Sequence, residues 1–154
     1  MCLVEKDQKW MEHALELADR SRQEGEVPVG AVLIKDDQII GEGWNQPIAK
    51  HDASAHAEIM AIRAAGLNEN NYRLPNTTLY VTLEPCTMCA GAIIHARVER
   101  VVYGAPDPRT GSAGSATNIF SGDYHNHKVQ VEGGVLRNEC GQILKDFFRE
   151  RRKK

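Results

Sequence analysis

Three soft metal ligands and one carboxylate stand out among the 154 residues of the chain. His56 and Glu58 flank Ala57, and Cys86 and Cys89 follow Pro85 three residues apart. Neutral imidazole and thiolate are the donors zinc takes most readily. Three protein donors leave the fourth tetrahedral position for water, which is the arrangement of a catalytic site rather than a structural one. Two thiolates and one imidazole bring the formal charge with zinc to zero. Such a site acidifies water less than an all-histidine one, so a base beside the water matters more. Glu58 can fill that place. The expectation is one Zn2+ per subunit on His56, Cys86 and Cys89, with Glu58 as the catalytic acid–base group.

Either half alone carries little. A Cys-x-x-Cys pair can be a redox couple or half of a structural zinc knuckle. The redox reading leaves His56-Ala57-Glu58 unexplained. The knuckle needs a fourth ligand, and Cys2, Cys140, His51 and His95 stand at no recognisable ligand spacing. His13, His95, His125 and His127 read as ordinary surface or core histidines. Together the halves form His-x-Glu…Pro-Cys-x-x-Cys, the signature of zinc-dependent nucleobase deaminases. Glu58 would take a proton from water as that water attacks C6 of adenine or C4 of cytosine. It would return the proton to the ring nitrogen and assist the departure of ammonia.

Both halves need a scaffold. Apolar residues at helical spacing predict a helix over 7–24, with Trp10, Ala14, Leu17 and Ala18 on one face and Gly25 as the stop. Residues 29–34 and 39–45 read as strands of a hairpin around a polar turn at 35–38. Gly41 and Gly43 weaken the second strand and suggest a close backbone approach, with a ligand as one candidate. Ser54 reads as the N-cap of a helix over 55–65 closed by Gly66, which places His56 and Glu58 in its first turn. Residues 78–83 form the strongest strand. Pro85 suits the first position of a helix over 86–97, with both cysteines on one face. Strands at 98–103 and 129–131 and an amphipathic helix over 136–148 complete the chain, with a long loop at 104–116. Phe147 and Phe148 read as core. This order implies a mixed sheet with helices on its faces.

The length fits a single domain over 1–154. Hydrophobic residues at 42% and charged residues at 26% are ordinary for a globular protein, and no apolar run is long enough to cross a membrane. The N-terminus lacks an apolar signal core, so a cytoplasmic location is expected. Four cysteines make no disulfide framework. A net charge of −2 does not announce a nucleic-acid partner, although Arg149-Glu150-Arg151-Arg152-Lys153-Lys154 is basic. Charge alone leaves that tail equally a solvated helix end.

Further stretches surround the zinc motif. They are Glu26-Val27-Pro28-Val29-Gly30-Ala31-Val32, Gly41-Glu42-Gly43-Trp44-Asn45, Ala55-His56-Ala57-Glu58-Ile59-Met60-Ala61, the run TLYVTLEPCTMCAGAI from Thr78 to Ile93, and Gly111-Ser112-Ala113-Gly114-Ser115. With them, from about Trp10 to Arg152, the chain resembles the cytidine deaminase-like superfamily, and within it the bacterial tRNA-specific adenosine deaminases. The resemblance implies an α/β fold, a three-layer α/β/α sandwich around a five-stranded mixed sheet, and a homodimer. It implies conversion of adenosine to inosine at the first anticodon position of an arginine tRNA. It also places Asn45 near the ribose of a flipped nucleotide, Asp107 in the cleft lining, and Phe148, Arg149 and Arg151 at the anticodon loop. Binding through a basic tail would weaken as salt rises. Two prolines in Pro106-Asp107-Pro108-Arg109-Thr110 depart from the pattern and stiffen that loop, and residues 120–127 receive no role. Two other functions stay open: a deaminase of free guanine, cytosine or a nucleotide, and a non-catalytic zinc module that binds RNA.

Overall fold

A computed structural model of the chain describes residues 1–153; Lys154, the last residue of the basic tail, lies outside the described residues. The elements in order are α1 (Leu3–Gln23), β1 (Gly30–Lys35), β2 (Gln38–Trp44), α2 (Pro47–Lys50), α3 (Ala57–Glu69), β3 (Thr78–Leu83), α4 (Thr87–His95), β4 (Arg100–Ala105), a 3-10 turn (Ile119–Ser121), β5 (Gln130–Gly133) and α5 (Arg137–Arg152). The five strands form one sheet in the order β2-β1-β3-β4-β5. The β1–β2 and β1–β3 pairs are antiparallel; β3–β4 and β4–β5 are parallel. The expected mixed five-stranded sheet is present.

Strand alternation divides the interior into two cores. Ala31, Leu33, Leu79, Val81 and Val101 face α3 and α4, while Val32, Ile34, Tyr80 and Val102 face α1 and α5. This is the α/β/α sandwich. The glycines set the distance between layers. A Cβ on Gly30 would stand 2.0 Å from the Ala14 carbonyl of α1. One on Gly41 would stand 2.4 Å from the Ala61 carbonyl, and one on Gly43 2.3 Å from the Ala57 carbonyl, both on α3. The close approach expected at Gly41 and Gly43 is therefore made by a helix backbone and not by a ligand. The hairpin turns on Asp36 and Asp37, both with positive φ, which gives the primed turn that matches strand twist.

Several boundaries move. α1 starts at Leu3, four residues before the expected Asp7, and Asp7 is buried inside it. α3 is not capped by Ser54, whose hydroxyl bonds Asp52 at 2.7 Å; His56 is the N-cap residue. The helix runs through Gly66 and ends where Asn70 turns left-handed. α4 starts after Cys86, so Pro85 precedes the cap and does not open the helix. Helix α2 and the 3-10 turn were not expected. Phe147 is core, whereas Phe148 is 46% exposed. Among the described residues no helix is long and apolar enough to cross a membrane.

Candidate active site

The site forms where two helices begin side by side. α3 follows the loop after β2, and α4 follows the end of β3. His56 is the N-cap of α3 and Cys86 the N-cap of α4, and neither side chain caps its own helix. Both side chains are thereby free to turn toward each other. Cys89 sits in the first turn of α4, buried, with Cys86 and His56 half-buried. The expectation of two cysteines on one helical face is replaced by one cap residue and one first-turn residue.

His56 Nδ1 lies 3.7 Å from Cys86 Sγ and 3.5 Å from Cys89 Sγ. Bond lengths of about 2.0 Å to nitrogen and about 2.3 Å to sulfur put the tetrahedral N···S edge at about 3.5 Å. The donor set therefore has the type and the spacing for zinc. All three ligand atoms lie within 4.8 Å of one another. Of the other ligands weighed from the sequence, Cys140 packs on Gly104 in the opposite core.

The electrostatics follow from the same crowding. The bond from Cys89 pulls the Cys86 thiol down to about 4, helped by His56. That bond and burial push Cys89 up. The bond to Cys86 raises His56. A zinc ion held by these donors would replace the proton between the two cysteines. The partial positive charge at two helix N-termini favours the thiolates further. Glu58 is 4% exposed, and burial pushes its carboxyl up to about 7. Its own backbone N–H, His56 and the Cys89 thiol pull the other way without overcoming burial.

Asn45 does what the N-cap of α3 does not. Its Oδ1 accepts the Ala57 N–H at 2.8 Å, while its backbone carbonyl accepts the Ser21 hydroxyl at 3.2 Å. The cap is borrowed from a residue twelve positions away, so no local signal announces it. A cleft of about 100 Å³ opens beside the ligands, and Asn45, Asp107, Thr110 and Glu58 help line it. Asp107 turns its carboxylate into its own loop, accepting the Arg109 N–H at 3.0 Å and the Thr110 hydroxyl at 2.8 Å.

A second hollow of about 220 Å³ adjoins the first and shares Val27 and Asn45 with it. Phe148 and Arg151 line its outer wall, with Ile48 from α2. Arg151 stacks over Phe147, its guanidinium 4.7 Å from the ring centroid, and donates to the Gly25 carbonyl. Arg149 lies outside both hollows and pairs with Asp146. The structure thus gathers Asn45, Asp107, Phe148 and Arg151 along one continuous surface and leaves Arg149 apart. The sequence did not reveal Glu84, whose buried carboxylate borders the cleft, nor Glu26, which accepts the Ile48 and Ala49 N–H groups at 3.1 and 2.9 Å and fixes α2.

Comparison with known proteins agrees with this geometry. Residues 4–105 match the family model of the cytidine and deoxycytidylate deaminase zinc-binding region. The tRNA-specific adenosine deaminase of Haemophilus influenzae is 56% identical over 147 residues, covering 95% of this chain and 85% of that protein. A solved structure from studies of A-to-I editing by tRNA:A34 deaminases at the wobble position of transfer RNA superposes with a TM-score of 0.84. It is 44% identical and covers 87% of this chain and 97% of its own. A guanine deaminase from Nitrosomonas europaea superposes with a TM-score of 0.78 at 25% identity, covering 89% and 81%. The chain belongs to the zinc-binding cytidine and deoxycytidylate deaminase family, among the tRNA-specific adenosine deaminases.

Proposed function

We propose that this chain hydrolyses adenosine to inosine at the first anticodon position of an arginine tRNA. The observation that carries the reading is the convergence of three zinc-type donors and a buried carboxylate on one cleft. The identity to tRNA-specific adenosine deaminases supports the substrate.

Zinc on His56, Cys86 and Cys89 would supply Lewis acidity, making water a nucleophile at neutral pH. Glu58 takes a proton from the attacking water and hands it to the ring nitrogen beside C6. It then helps deliver a proton to the departing ammonia. A carboxyl raised to about 7 is matched to giving and taking protons near neutrality. Asn45 holds the start of α3, so His56 and Glu58 keep their places while its side-chain amide nitrogen remains for the nucleotide. One base leaving a loop loses less stacking than one leaving a duplex. The hollow bounded by Phe148 and Arg151 offers a stacking face and a cation to the neighbouring nucleotides. Arg149 lies outside the hollow on the exposed face of α5, paired with Asp146, and would meet the anticodon loop from there.

The apolar hollow beside the cleft favours a polynucleotide over a free base. The resemblance also carries a homodimer, a cytoplasmic location and one deaminase domain over 1–154. Sedimentation as a monomer would remove the dimer. The test is a substrate panel for the zinc-loaded protein: an arginine tRNA beginning its anticodon with adenosine, free guanine and free cytosine. Inosine at the one anticodon position is expected. Turnover of guanine or cytosine with none of the tRNA would replace this reading with a free-base deaminase.

A further inference from the structure

Glu84 links β3 to the Pro85 turn and is 2% exposed. Its partners are amides and a hydroxyl, not a cation. Oε1 accepts the Asp107 N–H at 3.0 Å and the Ser115 hydroxyl. Oε2 accepts the Ala113 N–H at 2.9 Å and the Ser115 N–H at 3.2 Å. One carboxylate therefore closes the loop of residues 107–115 at both ends. The turn that carries Cys86 holds the same loop from below, because the Pro85 carbonyl accepts the Ser112 N–H at 2.9 Å and the Ser112 hydroxyl at 3.0 Å. Gly111 completes the fit: a Cβ there would stand 2.4 Å from Glu84 Cδ and 2.5 Å from the Asp107 carbonyl. The loop lies over the carboxylate only with no side chain at that point.

Asp107 and Thr110 of this loop line the cleft opposite His56 and Glu58. We propose that Glu84 is a positioning residue: its carboxylate fixes the Asp107–Ser115 loop as the rim of the cleft and so sets the hold on the nucleotide substrate. Both of its oxygens are taken by the loop, so it acts through that loop and not on the reacting atoms. Hydrogen bonds to an ionised acceptor are the stronger kind, and four of them hold the rim before substrate arrives. A rim ordered in advance spares the entropy that ordering it on binding would cost. The proposal rests on the deaminase reading of the cleft.

The test uses the full-length, zinc-loaded protein and an anticodon stem–loop whose first anticodon residue is adenosine. Glu84→Gln places an NH2 group among donors that need an acceptor. KM should rise about tenfold with kcat held within about threefold and zinc content unchanged. Arg109 is exposed at the loop tip, and trypsin should cut after it about tenfold faster in the variant. Gly111→Ala displaces the same carboxylate while keeping it, and should reproduce both changes. It also stands in if Glu84→Gln does not fold. The double variant should be little worse than either single one, because both break one contact set. A purely structural carboxylate would lower the active fraction and leave KM alone. An unmoved KM, or a loop at Arg109 as protected as in the parent, overturns the proposal. A parent protein that leaves the stem–loop unchanged overturns the deaminase reading instead.

Discussion

Asp7 and Glu58 are both buried carboxylates on helices, and their surroundings drive them in opposite directions. Burial pushes Asp7 up, but the Arg100 guanidinium and the Tyr80 hydroxyl more than offset it and hold the carboxyl below its usual range. Arg100 reaches Asp7 with two nitrogens, at 2.9 and 2.7 Å, and Tyr80 donates at 2.7 Å. Arg100 also pairs with Glu132, so the cluster ties α1, β3, β4 and the edge strand β5 together. Glu58 has no guanidinium paired with it, and burial outweighs the pull of His56 and carries it up to about 7. Glu26 and Glu84 are buried too, and accept backbone N–H groups in place of a cation. The difference separates a structural carboxylate from the one proposed to react. A group proposed to exchange protons has no guanidinium to hold it ionised, and a group that stays ionised has one.

Exchanging each carboxyl for its amide should pull stability and turnover apart. Glu58→Gln should lower kcat on a wobble-adenosine stem–loop by about 10²–10⁴-fold, with zinc retained. Its urea midpoint should not fall, since a desolvated acid has been replaced by a neutral group. Asp7→Asn should do the reverse. Breaking a buried ion pair costs about 3 kcal/mol, read as a lower urea midpoint, while kcat of the folded protein stays unchanged.

The pH dependence sharpens the same contrast. The folded Asp7 carboxyl titrates below the unfolded one, so its contribution is present above about pH 4 and is lost as pH falls through the folded value. The gap between the parent and Asp7→Asn should therefore close in acid; urea titrations at pH 3 and pH 7 measure it. The smallest effect concerns the borrowed cap. Asn45→Ala frees the Ala57 N–H and should cost about 1 kcal/mol in urea unfolding, a loss that a cap within the helix would not show.

The zinc-type donors were legible because zinc chemistry restricts residue types: imidazole and thiolate at short spacing, with a carboxylate nearby, announce themselves. The strands at 78–83 and 29–34 were legible because they alternate or run apolar between clear turns, the three layers followed from the family resemblance, and the order of the strands in the sheet was not legible. The helix starts were misread for a physical reason. Ser54 is the better cap by type, but its hydroxyl is spent on Asp52, and the positions before α3 and α4 are given to ligands. Asn45, Glu26 and Glu84 were invisible as supports because each acts on backbone amides 12 to 31 residues away. The basic tail divides the same way: Arg151 turns inward to Phe147 and Gly25, while Arg149 stays exposed beside Asp146.

The most direct test sets the parent, Glu58→Gln and Asp7→Asn side by side at one temperature where all are folded. Each is loaded with zinc, the metal is counted, and inosine at the first anticodon position is measured under single turnover. The parent and Asp7→Asn should form inosine at the same rate per folded molecule. Glu58→Gln, with equal zinc, should be slower by at least about a hundredfold. Near-parental turnover by Glu58→Gln would contradict the account, since the buried carboxylate would then have no part in moving the proton.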